Sequence, residues 1–221
     1  AQTLYLQGEF GAAADAWLQL AQANRSERAR YRLRAAEAYR EEGDSASMQA
    51  LVDEIDRRKL PAEDQFRLDL MEAELALGRN DAEAALALLL APEGSIPADR
   101  APRYHELRAR AHAAKGATLD AVADRVTLDA LLPEGADKAA NAAEIRKLVG
   151  LLPEEDLRLR LREADRNDPL YPWLLAGARA GRSARRRRQL RRRDRGDAPA
   201  GVGRTGHRAH RHRARHLWPR R

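Results

Sequence analysis

Histidines and carboxylates are the residues of this sequence whose types could do chemistry, so their spacing is the first question. His105 and His112 lie seven residues apart, which places them on one face of a helix. Two imidazoles at that spacing could supply two ligands to a metal ion, but a zinc site needs further ligands in matching geometry. The sequence shows no third ligand of matching geometry for these two histidines. We therefore expect both histidines to be exposed surface residues.

Motifs that mark common enzymes are missing from the sequence. There is no HExxH, Walker or GxSxG pattern. There is also no cysteine, which removes disulfides, thiolate nucleophiles and cysteine-based metal sites. Adjacent acids such as Glu154 and Glu155 follow a proline, as is typical of the first turn of a helix. These features predict a non-catalytic protein without a catalytic residue, metal site, cofactor or small-molecule substrate.

Charge divides the chain into two segments. The whole sequence has 41 Lys and Arg against 34 Asp and Glu, a formal net charge of +7. Residues 176–221 contain 17 arginines, no lysine and two acids, which gives this segment a net charge of +15. Residues 1–175 therefore carry −8. A mildly acidic body is thus followed by a strongly basic tail.

The basic tail, residues 176–221, has too few apolar residues to bury, so we expect it to be disordered. Its arginines could neutralise phosphates and bind nucleic acid in a salt-dependent way. Its four histidines could instead bind a metal ion. The interpretation that we favour is a shifted reading frame, because GC-rich coding DNA read out of frame gives Arg, Ala, Gly, Pro and His without Lys. On that interpretation nucleic acid is not the partner.

A repeat of helical hairpins organises residues 1–175. Glycines that could end helices lie at positions 8, 43, 78 and 116, at spacings of 35, 35 and 38, close to the tetratricopeptide period of about 34. Three segments share an aromatic residue, an alanine seven residues later and a glycine five residues after that. We expect the glycine to end each first helix in the left-handed conformation. The three segments are Tyr31-Ala38-Gly43, Phe66-Ala73-Gly78 and Tyr104-Ala111-Gly116.

Apolar stripes that follow these glycines in the sequence predict the second helix of each hairpin. The stripes after Gly8 and Gly43 have identical offsets, whereas those after Gly78 and Gly116 are displaced by one residue. Each stripe is too narrow to be buried by one hairpin alone, so neighbouring hairpins must stack. The predicted stripe residues are Ala13, Trp17 and Leu20, then Met48, Val52 and Ile55, then Ala84 and Leu88, and finally Val122 and Val126.

The predicted fold is all-α, a tetratricopeptide-like solenoid of helical hairpins over residues 1–175 with a disordered basic C-terminal tail. Further helices are expected near residues 137–149 and 153–166. The first hairpin contains only the end of its first helix, so we expect the array to be truncated at its N-terminus. In such arrays the first helices line the concave face. The polar residues expected on this face, as a surface for a protein partner, are Arg30, Glu37, Arg40, Glu72, Arg103 and Arg110.

Several segments resemble the N-terminal domain of the LpoA family of penicillin-binding protein activators. The strongest are residues 103–111, RYHELRARA, and residues 120–132, DAVADRVTLDALL, on either side of Gly116. Residues 31–39, 72–77 and 141–148 resemble its other helices. The sequence departs from the family where Arg146 follows Ile145 in place of a tryptophan, and around Trp173, where the arginine-rich segment soon begins.

The resemblance implies an outer-membrane lipoprotein that faces the periplasm and stimulates a bifunctional class A penicillin-binding protein, and thereby peptidoglycan synthesis. It also implies that a C-terminal α/β domain, not present in this sequence, makes the main contact with the synthase. The lipid anchor is likewise not present. This chain would then keep the helical spacer domain only. The alternatives are a general tetratricopeptide scaffold that binds a protein or peptide, and a protein that binds nucleic acid through its basic tail.

Overall fold

The computed structural model describes residues 1–92 and 94–196, and predictions that concern residues 197–221 lie outside this part. The described residues form eleven α-helices and one short 3-10 turn at Arg57–Lys59. Residues 1–181 form one compact unit, and the described residues that follow, 182–196, belong to a second unit. The helices are α1 Gln2–Leu6, α2 Phe10–Ala23, α3 Arg28–Glu42, α4 Ser45–Asp53, α5 Ala62–Gly78, α6 Ala82–Leu88, α7 Ala101–Ala114, α8 Thr118–Leu131, α9 Ala136–Leu151, α10 Glu154–Glu163 and α11 Tyr171–Gly196.

The prediction of an all-α chain of helical hairpins is confirmed. Consecutive helices pack on one another from α1 to α9, and the first helices α3, α5 and α7 also pack side by side. One apolar cluster joins α3, α4 and α5, a second joins α5, α6 and α7, and a third joins α8 to α11. The core is therefore a series of local clusters, as expected where each hairpin is stabilised by its neighbours.

Left-handed residues mark the turn inside each of the first four hairpins. Gly8, Gly43 and Gly116 have φ of 81°, 85° and 76°, and Asn80 has φ of 61°. At each position the amide of the following residue donates a 2.9 Å hydrogen bond to the carbonyl five residues earlier. This bond closes the end of the helix in the Schellman arrangement. The same turn is thus repeated four times.

Asn80, and not Gly78, takes the left-handed conformation in the third hairpin, so the prediction for Gly78 was wrong. Gly78 is the last residue of α5. Asparagine tolerates this conformation because its short polar side chain can form local hydrogen bonds. The left-handed residues are then 35, 37 and 36 residues apart, a more even period than the glycines suggested.

The corrected turn also removes the displacement predicted for the third apolar stripe. Ala85 and Leu89 lie five and nine residues after Asn80, the same offsets as Met48 and Val52 after Gly43, and all four are buried. Ala84 and Leu88, which were predicted there, are only partly buried. Leu20, predicted in the first stripe, is 40% exposed and does not belong to the core.

The aromatic and alanine positions of the repeat pack as the sequence predicts. Ala38, Ala73 and Ala111 have no exposed surface, which lets neighbouring helices approach closely. Tyr104 is fully buried, and its ring stacks on Phe66 of α5 with centroids 6.0 Å apart. Phe66 and Tyr104 therefore fill the space between α5 and α7, whereas Tyr31 of the first segment stacks on Trp17 of α2.

Helix α11 begins within the body and continues beyond the predicted boundary at residue 175. Ala178 is buried, and a β-carbon at Gly177 would overlap Cγ1 of Val149 in α9. Residues 176–181 therefore pack with the first compact unit. Residues 182–196 are also helical and not disordered as expected, because Ala, Arg, Gln and Leu favour helix even where little is buried.

Candidate partner-binding cleft

A cleft rich in arginine opens on the first compact unit, and it is named the arginine cleft below. It has a volume of about 210 Å³ and is formed by α1, α2, α3, α5 and the residue that precedes α7. Four of its eight lining residues are arginines from three different segments. The lining residues are Gln2, Tyr5, Trp17, Arg34, Glu37, Arg40, Arg67 and Arg100.

A buried ion-pair network forms the floor of the arginine cleft. Arg67 on α5 donates to both carboxylate oxygens of Glu37 on α3, with 2.7 Å between Nε and Oε1, and to Asp64 at 2.7 Å. Asp64 in turn accepts a 2.9 Å hydrogen bond from Nε of Arg30. Burial lowers the pKa of Arg67, but Glu37 and Asp64 outweigh this effect and raise it. The network joins α3 to α5 and keeps Arg67 positively charged.

Three other arginines of the cleft have no ion pair with another helix among the described residues. Arg40 pairs only with Glu41, the next residue on the same helix. Nε of Arg100 lies 3.1 Å from the carboxylate of Asp99, yet this buried nitrogen has no partner in hydrogen-bonding geometry. The Cζ atom of Arg34 lies over the ring of Trp17, 5.7 Å from the ring centroid. These guanidinium groups retain donors that a ligand could use.

Aromatic rings line the wall beside these arginines. Trp17 on α2 stacks on Tyr31 on α3, with centroids 5.8 Å apart and planes 20° apart. A second cavity of about 560 Å³ lies against this stack and shares Gln2, Trp17 and Arg34 with the arginine cleft. Burial, followed by Glu41 and Glu37, raises the pKa of Tyr5, so its phenol stays a hydrogen-bond donor at neutral pH.

The structure places the six residues predicted on the concave face in different surroundings. Glu37 and Arg40 line the arginine cleft, and Arg30 lines the adjoining cavity. Arg103 lines a separate groove between α7, α8 and α9, where it pairs with Glu74 at 2.6 Å and Glu106 at 2.5 Å. The structure therefore places three of the six predicted residues at the arginine cleft and its adjoining cavity.

Glu72 and Arg110 complete the predicted set. Glu72 is half-buried, and burial, followed by the nearby charge of Asp69, raises the pKa of its carboxyl. Its other charged neighbours are Asp53 and Arg57, at the end of α4 and in the turn that follows it. Arg110 is exposed on α7. As a partner-binding set, the six residues remain a prediction.

His105 is buried and not exposed as the sequence analysis expected. Its Nδ1 lies 3.0 Å from Asp124 on α8, which also accepts a 2.7 Å hydrogen bond from Nε of Arg108. Nε2 of His112 lies 3.8 Å from the same carboxylate. Burial raises the pKa of Asp124, but the hydrogen bonds from His105 and Arg108 outweigh it and leave the pKa lowered. The two histidines thus share a carboxylate that joins α7 to α8.

Sequence reasoning missed Arg34, Arg67 and Arg100 as residues of the cleft. Arg34 lies four residues after Arg30 and three before Glu37, so helical spacing could have placed it on the same face. Arg100 precedes α7 and lies outside the repeat pattern, so no spacing rule points to it. Tyr5 and Arg100 are distant in sequence and line the same cleft only in the folded chain.

The described residues contain neither a metal-ligand cluster nor a membrane-spanning helix. In residues 1–92 and 94–191, no three His, Cys, Asp or Glu side chains are grouped so that they could hold a metal ion. Within the part of the chain that the structure describes, no helix has the length and apolarity needed to cross a membrane.

Comparison with known protein families shows to which family this chain belongs. The model of a family described as LppC putative lipoprotein matches residues 8–192, most of the chain. This protein belongs to the LppC family. A comparison with curated protein sequences gives no significant match.

Solved structures show the same fold for this LppC family member. The N-terminal domain of Haemophilus influenzae LpoA matches with a TM-score of 0.59 at 19% identity, covering 89% of this chain and 90% of that domain. A structure of LpoA from the same organism, described as its monoclinic form, matches with a TM-score of 0.57 at 20% identity. There the match covers 80% of this chain, which spans only 33% of that protein.

Proposed function

We propose that this LppC family chain is the helical spacer domain of an outer-membrane lipoprotein that activates a bifunctional class A penicillin-binding protein. The family match over residues 8–192 carries the proposal. The likeness to the N-terminal domain of LpoA, over 90% of that domain, supports it at the level of the fold. The domain works without catalysis in the periplasm, held to the outer membrane by a lipid anchor outside residues 1–221, and regulates peptidoglycan synthesis through its partner.

A stack of helical hairpins suits the role of a spacer. Each hairpin of residues 1–181 packs on the next through an apolar cluster, so each hairpin is held in place by its neighbours. Ion pairs between first helices, such as Arg67–Glu37 and Arg103–Glu74, add links between neighbouring hairpins. In this proposal the concave face contributes a secondary contact with the protein partner.

Crosslinking followed by co-precipitation tests the choice of partner. The tagged chain is placed in the periplasm of Haemophilus influenzae, crosslinked before lysis, and the captured proteins are identified by mass spectrometry. We expect enrichment of a class A penicillin-binding protein relative to a tagged unrelated helical-repeat protein of similar length. Enrichment of other proteins without any such synthase would refute the proposal and favour a general scaffold that binds a protein or peptide.

A further inference from the structure

The arginine cleft is a positively charged surface on an acidic body. Residues 1–175 carry a net charge of −8, whereas the cleft is lined by four arginines and one glutamate. A negatively charged ligand is repelled by much of the surrounding surface and attracted here, because a cleft with walls of low dielectric concentrates the field of its charges. The cleft therefore selects an anion.

The three arginines without a cross-helix ion pair are the groups that could hold such a ligand. Arg34 and Arg40 extend from α3, and Arg100 reaches the same cleft from the segment before α7. The buried Nε of Arg100 lacks a hydrogen-bond acceptor among the described residues. A carboxylate in the cleft would form charge-assisted hydrogen bonds with the guanidinium N–H groups of these arginines.

Space beside the arginines fits an extended chain better than a small anion. The arginine cleft and the adjoining cavity have volumes of about 210 and 560 Å³ and meet at Gln2, Trp17 and Arg34. The stacked rings of Trp17 and Tyr31 offer the second cavity an apolar wall. A peptide can place a carboxylate on the arginines and an apolar side chain on the rings, because its successive side chains differ in character.

We propose that the arginine cleft binds an acidic peptide segment of a protein partner, with carboxylates on Arg34, Arg40 and Arg100 and an apolar side chain on the Trp17–Tyr31 stack. The inference deepens the proposed function and rests on it only for the class of partner, a protein. A nucleic acid fits less well, since Glu27 and Glu37 also line the two cavities and would face its continuous row of phosphates.

A nuclear magnetic resonance titration reads binding at the cleft itself. The probe is the peptide acetyl-Glu-Leu-Glu-Glu-Leu-Glu-amide, and its counterpart with Gln in place of each Glu is the uncharged control. The full chain contains three tryptophans, so its indole N–H signals are few, and the Trp17→Phe variant assigns the signal of Trp17. Trp218 lies in the basic tail and reports any binding of the acidic peptide there.

We expect the Trp17 signal to shift and saturate with the acidic peptide but not with the uncharged control. Arg100→Ala and Arg34→Ala should each raise the Kd about tenfold or more, because each removes charge-assisted hydrogen bonds. Arg146→Ala removes the same charge from an exposed position on α9 and should leave the Kd unchanged. Circular dichroism confirms that the variants keep their helices.

Two results would overturn the inference. One is a shift of the Trp218 signal alone, which would locate the binding in the basic tail. The other is a Trp17 shift that is equally strong in the Arg34, Arg100 and Arg146 variants, which would show that the cleft arginines do not hold the peptide. Either result leaves the crosslinking test for the synthase unaffected, so the failure of this inference and the failure of the proposed function are distinguishable.

Discussion

Arg67 occupies an unusual position for an arginine, since its side chain is only 6% exposed between α3 and α5. Glu37 and Asp64 neutralise it, and Arg30 completes the charge balance of Asp64. A buried ion pair contributes little over an apolar pair of the same shape, but removing one partner leaves the others buried and uncompensated. Arg67 therefore positions α3 against α5 and supports the arginines around it.

Replacing Arg67 with alanine should lower the free energy of unfolding by about 3–5 kcal/mol, because Glu37 and Asp64 would remain buried without their partner. Urea unfolding followed by circular dichroism measures the change. Arg58 offers a matched control, since its side chain is 91% exposed and pairs with Asp56 at the surface. Arg58→Ala should cost at most about 1 kcal/mol. Similar costs for both variants would show that the buried network is not a structural unit.

The ionisation of Asp124 should make the stability of the folded protein depend on pH. Its pKa in the folded chain is lowered, so its ionised form stabilises the fold above the unfolded value of about 3.9 and this contribution is lost as pH falls through the folded value. Asp124→Asn should therefore destabilise the protein at pH 7, with a difference from the parent chain that shrinks below about pH 4. A constant difference from pH 7 to pH 3, measured by thermal unfolding, would exclude this origin.

At the scale of the element, the turn residue of the third hairpin shows where sequence reading fails. Gly78 matched the spacing of the other glycines and was predicted as the left-handed residue, yet Asn80 has the positive φ. Asparagine also accepts this conformation, so Gly78 and Asn80 were both candidates for the turn and spacing could not separate them. The error of two residues then displaced the predicted apolar stripe of α6.

Substitutions at these two positions test the assignment of the turn. Asn80→Ala should destabilise the protein by about 1–2 kcal/mol because alanine is strained at positive φ, and Asn80→Gly should be nearly neutral. Gly78→Ala should stabilise α5 by about 1 kcal/mol, since Gly78 is helical and a β-carbon there meets no atom within 4 Å. The opposite pattern in chemical unfolding would return the left-handed turn to Gly78.

Two glycines of α11 give a second comparison within one element. Gly177 lies against Val149 of α9, whereas a β-carbon at Gly181 would meet nothing within 4 Å. Gly177→Ala should cost about 1–3 kcal/mol through overpacking, and Gly181→Ala should stabilise by about 0.5–1 kcal/mol through helix propensity. Equal effects on the melting temperature would mean that α11 does not pack on α9 at Gly177.

At the scale of the whole molecule, the all-α class and the hairpin repeat follow from the sequence, because repeated turns and apolar stripes are local patterns. The positions of Ala38, Ala73 and Ala111 in the core follow from the same patterns. The arginine cleft cannot be predicted from such local patterns, since it forms where α1, α3, α5 and the segment before α7 meet. Residues such as Arg67 and Arg100, distant in sequence from α1, become functional candidates only through that packing.

The basic tail has no part in the proposed function. Residues 182–196 are helical, and residues 197–221 lie outside the described part. Its arginines give the chain its high isoelectric point but supply no contact on which the proposed function depends. Tests of the body can therefore use chains that end at residue 181, the boundary of the first compact unit, once such a chain has been shown to fold.

The most direct test of the central claim is a domain exchange in Haemophilus influenzae LpoA. Residues 1–181 of this chain replace its N-terminal domain, and the growth and glycan synthesis of cells depleted of their own LpoA are measured. If this chain is the spacer domain of such an activator, the exchanged protein should sustain growth better than LpoA without any N-terminal domain. Growth no better than with that deletion, from an exchanged protein that is folded and present in normal amounts, would contradict the claim.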